Sequence, residues 1–324
     1  MANKSGRTTV PKPRAAGSDK NNLFARELWK NRVLYLMCVP ALVWIIIFCY
    51  VPMYGVQIAF RNYNAIDGIW KSPFVGLKNF RFFFKSNDAL RVTLNTLVVN
   101  VLCIVLGHGL SIGTAILLNE IGKRRVKKTY QTLLFFPYFI SWVVVQTILQ
   151  ALLSDNYGLF NNLREALGQG PVSWYNKGFT WVWIIVACSV WKGLGYNTVI
   201  YLARITSIDQ SVYEASRIDG ANKWQEISRI TLPLMKPTVI ILLLMSIGGV
   251  FRADLNMFLS LSPTSGPSLH YINVIDTYVY YAMKNNLQYG LSAAVGLWQS
   301  VMGLLLVLLS NWLVSKYDPE NKLF

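Results

Sequence analysis

Apolar and polar positions alternate along this chain in blocks rather than residue by residue. Six apolar stretches, at residues 33–60, 91–118, 130–153, 179–202, 234–258 and 290–315, each approach or exceed the roughly 20 residues a bilayer core requires. In lipid only a helix satisfies its own backbone groups, so the pattern predicts an all-α membrane protein with six transmembrane helices. The first stretch contains Pro40 and Pro52 and is expected to tilt or kink. Before it, residues 1–21 are basic and poor in large apolar side chains, the composition of a disordered tail. In residues 22–32, Leu23, Phe24, Leu28 and Trp29 recur at helical spacing among Arg26, Lys30 and Arg32, which predicts an amphipathic interfacial helix. The chain thus divides into tail, interfacial helix, a first helix with its loop (33–90), a five-helix domain (91–315) and a short C-terminal tail (316–324).

Composition agrees with the pattern. The 324 residues are 53% hydrophobic with a mean hydropathy of +0.36, too apolar for an ordinary soluble domain. The net charge of +16 does not indicate nucleic acid, because the basic residues lie between membrane-length apolar runs. Of the 31 Lys and Arg residues, twenty fall on the side of the two termini and ten on the other, with Lys192 inside a span. That asymmetry predicts both termini in the cytoplasm of a multi-pass inner-membrane protein. The run Lys123-Arg124-Arg125-Val126-Lys127-Lys128 is read as topogenic, with anionic membrane lipid as a further contact. Cys38, Cys49, Cys103 and Cys188 all fall within spans, without metal-ligand spacing, and are expected to be small buried hydrophobes.

The fourth and fifth spans are separated by a polar hairpin, residues 207–233. Asp209 is the expected N-cap of a helix over 210–219, and Gly220 the expected left-handed residue after it. A second short helix over 222–230 runs into Pro233 and Pro237, which should stop it or kink the next. Glu214-Ala215-Ser216, three residues, Gly220, nine residues, then Ile230-Thr231-Leu232-Pro233 resembles the signature loop of permease subunits of bacterial ABC importers. Ser216 stands where that family usually has a second Ala. The resemblance extends over residues 33–317. It includes Tyr50-Val51-Pro52-Met53-Tyr54-Gly55, Arg61-Asn62-Tyr63-Asn64, Val75-Gly76-Leu77-Lys78-Asn79-Phe80, Trp191-Lys192 with Gly195, and Tyr289-Gly290, and is similar to the branch handling complex polysaccharides. Thr264-Ser265-Gly266-Pro267 departs from the family's usual Thr-x-Gly-Gly-Pro.

The resemblance implies the type I importer permease fold and a non-catalytic subunit of an ATP-driven complex. The implied partners are a second homologous permease, two ATPase subunits and a periplasmic binding protein delivering an oligosaccharide. Alginate or another anionic polysaccharide fragment is the expected cargo. Glu214, Ala215, Ser216, Arg217, Asp219 and Gly220 would couple to the ATPase. ATP and Mg would be bound by the partner subunits, since no G-x-x-x-x-G-K-[ST] run occurs in this chain.

Polar side chains within apolar helices usually face a bundle interior. Lys192, Asn197, Gln146, Asp254, Asn256 and Trp298 are accordingly the candidate substrate-path residues, with Asn95, Asn100, Gln150, Arg252 and Gln299 in the same class. Lys192 either lines the path or caps carbonyls at Gly193 and Gly195. His108 is expected to bond a neighbouring helix. Two other classes, a secondary transporter and a polytopic enzyme, would require an internal repeat or a paired acid–base site, and neither is evident in the sequence.

Overall fold

A computed structural model describes residues 29–263 and 266–319. The expected tail 1–21, most of the interfacial helix 22–32, Thr264-Ser265 and the end of the 316–324 tail lie outside the described residues. The chain falls into two units, residues 1–56 and 57–324.

The first unit contains α1 (Arg32–Ile45), then a π-helical turn (Ile46–Tyr50) and a single α-turn (Val51–Met53). The π turn ends two residues before Pro52, where the missing N–H and the ring both disturb the ordinary ladder. Helical structure continues to Phe60 as a 3₁₀ run (Tyr54–Phe60), giving a 29-residue apolar segment from Arg32. Cys38 and Cys49 are exposed along it and are not core residues.

In the second unit α2 (Lys78–Lys85) leads into α3 (Asn87–Asn119), which forms the central pair with α7 (Thr180–Thr206). Between them come α4 (Arg124–Phe135), a 3₁₀ turn (Phe136–Phe139), α5 (Trp142–Leu153) and α6 (Leu159–Ala166). After α7 follow α8 (Gln210–Ile218), α9 (Lys223–Glu226), α10 (Leu232–Gly248), α11 (Leu255–Leu261), α12 (Pro267–Ile272), α13 (Ile275–Asn286) and α14 (Tyr289–Tyr317). The buried face of α3 runs Val92, Thr96, Val99, His108, Ser111, Ala115 and Leu118, steps of three and four apart for the most part, as one helical stripe requires. Its small members let α7 approach, as in other membrane helix pairs. Gly195 of α7 is needed for the same reason: a Cβ there would lie 2.2 Å from the carbonyl oxygen of Leu134 on α4.

Among the described residues, four helices are long and apolar enough to cross a membrane: Arg32–Phe60, Asn87–Asn119, Lys223–Gly248 and Tyr289–Lys316. The expected span 130–153 is not straight but a pair, Arg124–Phe139 and Trp142–Leu153, bent by 96°. Counted as one, it makes a fifth span. The expected span 179–202 corresponds to the 27-residue α7, which is long enough but diluted by Lys192, Tyr196 and Asn197. It is also deeply enclosed, with Trp181, Ile185, Val186, Tyr201 and Leu202 all buried. A helix surrounded by protein does not need the apolarity of one facing lipid. The expected span 234–258 ends at Gly248; residues 249–254 are irregular before α11 resumes. Pro233 and Pro237 do not stop the second hairpin helix, which continues as one helix to Gly248. A π turn (Ile227–Thr231) precedes Pro233, and α10 then runs through Pro237.

Candidate functional site

The hairpin between α7 and α10 is built from local signals. The Asp209 carboxylate accepts the Ser211 N–H at 2.9 Å and caps α8, and that bond holds the carboxyl below its ordinary range. α8 ends in a paired-bond stop: the Ala221 N–H donates to Ser216 O at 2.9 Å and the Gly220 N–H to Arg217 O at 3.1 Å. Gly220 has φ +81°, and no atom lies within 4 Å of where its Cβ would be. Its requirement for glycine is therefore conformational, not steric. Asn222 and Gln225 then form a reciprocal capping box that starts α9.

Two bonds close the hairpin on its inner side. Tyr213 Oη meets Thr231 Oγ1 at 3.0 Å, and the Arg217 Nε–H donates to Glu226 Oε1 at 2.7 Å. The second bond raises the Arg217 guanidinium further above its ordinary value. With Tyr213 and Glu226 turned inward, Glu214, Ala215 and Asp219 are exposed, and Ser216 is half-buried on the Tyr213 carbonyl. The tip also presents two large apolar side chains that the signature spacing did not single out, Ile218 at 87% exposure and Trp224 at 75%. A signal was available: an Ile and a Trp among charges in a polar hairpin have no core to enter.

The polar residues expected within apolar helices separate into two groups. The first satisfies broken backbone. The Lys192 ammonium donates to Tyr138 O at 2.7 Å and Ile140 O at 2.5 Å, and lies over the rings of Trp142 and Tyr138 at 5.3 and 5.7 Å. It therefore caps the break between α4 and α5, not carbonyls of Gly193 and Gly195 on its own helix. Asn100 donates to Val250 O and Arg252 O at 2.7 and 3.0 Å, and Gln299 donates to Phe251 O. Asp276 accepts the Ala253 N–H at 2.8 Å, and Asp254 caps α11 on Met257 N. Asn100, Gln299 and Asp276 thus serve the irregular stretch 249–254, and Asp254 closes its end. Asn95 does the same for His270 O and Asn273 O. The two breaks are joined, since the Trp142 indole N–H donates to Asp254 Oδ2 at 2.7 Å.

The second group lines cavities. Gln146 and Gln150, one turn apart on α5, face Tyr175, Asn176 and Ser262 across about 320 Å³. Asn197 shares about 240 Å³ with Asn100, His108, Ser246 and Arg252. His108 bonds two helices, as expected: Tyr201 Oη lies 2.7 Å from Nδ1 and Ser246 Oγ 2.9 Å from Nε2. Because the Ser246 hydroxyl donates to Leu242 O, the imidazole proton belongs on Nε2 and Tyr201 donates to Nδ1. Asn256 is exposed on α11. Trp298 packs among Phe83, Phe84 and Phe251 and belongs to an aromatic cluster rather than to either cavity.

Comparison with known proteins places the chain in a family. Residues 107–319 match the family described as binding-protein-dependent transport system inner membrane component. The protein LplB of Bacillus subtilis (strain 168) is 34% identical over 316 residues, covering 97% of this chain and 99% of that one. The polygalacturonan/rhamnogalacturonan transport system permease protein YteP of the same organism is 34% identical over 304 residues, covering 94% of each chain. A chain in the crystal structure of a bacterial ABC transporter involved in the import of the acidic polysaccharide alginate superposes with a TM-score of 0.83. It is 29% identical and covers 91% of this chain and 99% of its own. A chain of a bacterial alginate transporter bound to its pentasaccharide-loaded periplasmic protein superposes equally, at 30% identity, over 92% of this chain and 99% of that one. Family match, fold and hairpin agree: the chain belongs to the inner membrane components of binding-protein-dependent transport systems, as a multi-pass, non-catalytic ABC importer permease.

Proposed function

We propose that this chain is one of two membrane subunits of an importer for oligosaccharides, driven by ATP hydrolysed on partner subunits. It crosses the inner membrane six times, α7 being the enclosed crossing, and both termini lie in the cytoplasm. The 207–233 hairpin docks on an ATPase subunit, with Glu214 meeting a basic group and Ile218 and Trp224 buried against it. The observation that carries this reading is the hairpin's construction: a left-handed Gly220, an inner face closed by Arg217–Glu226, and an outer face of exposed apolar and acidic residues.

Cargo passes beside the polar cavities at Gln146 and Asn197, which the second permease completes. Acidic glycan fragments are the proposed class, delivered by a periplasmic binding protein. Two features support it: relatives named for polygalacturonan and alginate transport, and ten basic against six acidic residues on the side opposite the termini. The test is reconstitution of the four-subunit complex with its binding protein in proteoliposomes. Trigalacturonate or alginate trisaccharide should stimulate ATP hydrolysis and be taken up, while maltotriose should do neither. Stimulation by maltotriose alone would exclude the acidic class. A cysteine at Ile218 that never cross-links to the ATPase would exclude the docking.

A further inference from the structure

Glu226 is the one carboxylate buried at the base of the hairpin, its side chain 4% exposed, and it is flanked by two cations. Arg217 Nε lies 2.7 Å from Oε1 and Lys223 Nζ 3.0 Å from Oε2. The pair with Arg217 crosses the Gly220 turn and, together with Tyr213–Thr231, already closes the hairpin on itself. Lys223 does something else. Its ammonium also lies 3.0 Å from Oε2 of Glu120, the residue immediately after α3. That contact adds nothing to hairpin closure; it joins the hairpin to a different helix.

Two further connections run along the chain. Toward α10 the hairpin continues through the π turn Ile227–Thr231 into one unbroken helix that ends at Gly248. Toward α7 it passes through the turn at 207–209. The lateral contact is the one that reaches α3, the helix packed along α7 at the centre of the bundle.

We propose that the alternating chain Glu120–Lys223–Glu226–Arg217 is the element that passes hairpin displacement to α3, with Lys223 as the positioning residue that joins the two. The proposal rests on the docking reading above. It does not require Lys223 to touch ATPase or cargo. A partly exposed ion pair adds little to stability, so its removal should leave the fold intact and act on transmission.

The test uses the assembled complex, with the four native cysteines of this chain replaced by alanine and spin labels at Val212 on α8 and Leu117 on α3. Inter-label distances are measured without nucleotide and after trapping with ADP–vanadate. In the parent a single narrow distance should persist in both states. Lys223→Met should broaden or shift it on trapping and raise cargo-free ATP hydrolysis about threefold, the scale on which linking residues modulate coupling. Lys223→Arg, whose guanidinium can span both carboxylates, should restore both readouts. Glu120→Gln, an exposed change, should reproduce Lys223→Met in milder form. Unaltered distances and hydrolysis in Lys223→Met would overturn the proposal. The docking reading is judged separately, by whether Ile218→Cys cross-links to the ATPase in the parent. An adduct there with a silent Lys223→Met removes only the link to α3.

Discussion

Lys192 illustrates how one side chain can be costly and still necessary. An ammonium on a largely apolar, enclosed helix must find partners, and here it finds two carbonyls freed where α4 ends and α5 begins. Hydrogen bonds to charged groups contribute about 1.5–3 kcal/mol each, so Lys192→Ala should lower the thermal midpoint of the purified complex and reduce uptake. Lys192→Arg should keep most of both, since a guanidinium can also serve two acceptors; equal uptake by the Ala variant and the parent would refute the role. Gly220 is the complementary case, where nothing is touched. Its φ of +81° costs a β-branched residue about 1–2 kcal/mol, and Gly220→Val should uncouple hydrolysis from transport. Because space is open around it, Gly220→Asn should be tolerated, Asn being a common left-handed residue. The pair of variants separates backbone conformation from bulk in one ATPase assay.

At the scale of elements, the two interrupted helices form a single unit. The break after α4 and the break after α10 are each lined by side-chain amides, carboxylates or an ammonium, and Trp142–Asp254 ties one to the other. Irregular backbone at membrane depth is tolerable only where such partners surround it. A double-mutant cycle with Trp142→Phe and Asp254→Asn should therefore give a coupling of about 0.5–3 kcal/mol in thermal or denaturant unfolding; additive effects would mean that the breaks are independent. Gly195 is the other constraint on this unit, because α4's backbone lies against it. Gly195→Ala should separate α4 from α7, lowering stability by about 1–3 kcal/mol, and tilt Lys192 away from its carbonyls, with a matching fall in uptake.

On the scale of the whole molecule, the two ends of the bundle have different character. The hairpin end carries exposed Ile218 and Trp224 in a charged setting, the pattern of an anchor awaiting a protein partner. Ile218→Ser combined with Trp224→Ser should abolish co-purification with the ATPase while retaining the second permease. Loss of both partners together would indicate misfolding instead, which circular dichroism of the isolated chain would reveal. The apolar flanks of α1, α3 and α14 are broadly exposed, as expected of lipid-facing and partner-facing helices.

Much of this was legible from residues alone, because the relevant physics is local. Membrane-length apolar runs impose helices, Asp209 and Gly220 mark the limits of α8, and the signature spacing identifies the hairpin. The sequence also nominated Lys192, Asn197, Gln146, Asp254, Asn256 and Trp298 as one class, since each is costly or amphipathic in an apolar helix. Only the tertiary structure divided them. Lys192 and Asp254 serve broken backbone, Gln146 and Asn197 line cavities, Asn256 is exposed and Trp298 joins an aromatic cluster. Whether a polar group in a span completes a carbonyl or faces a cavity depends on where the neighbouring helices break, and the partners involved lie 23 to 178 residues away in the chain. Helix formation is set within a few turns; the satisfaction of a break is set by whichever distant segment packs beside it.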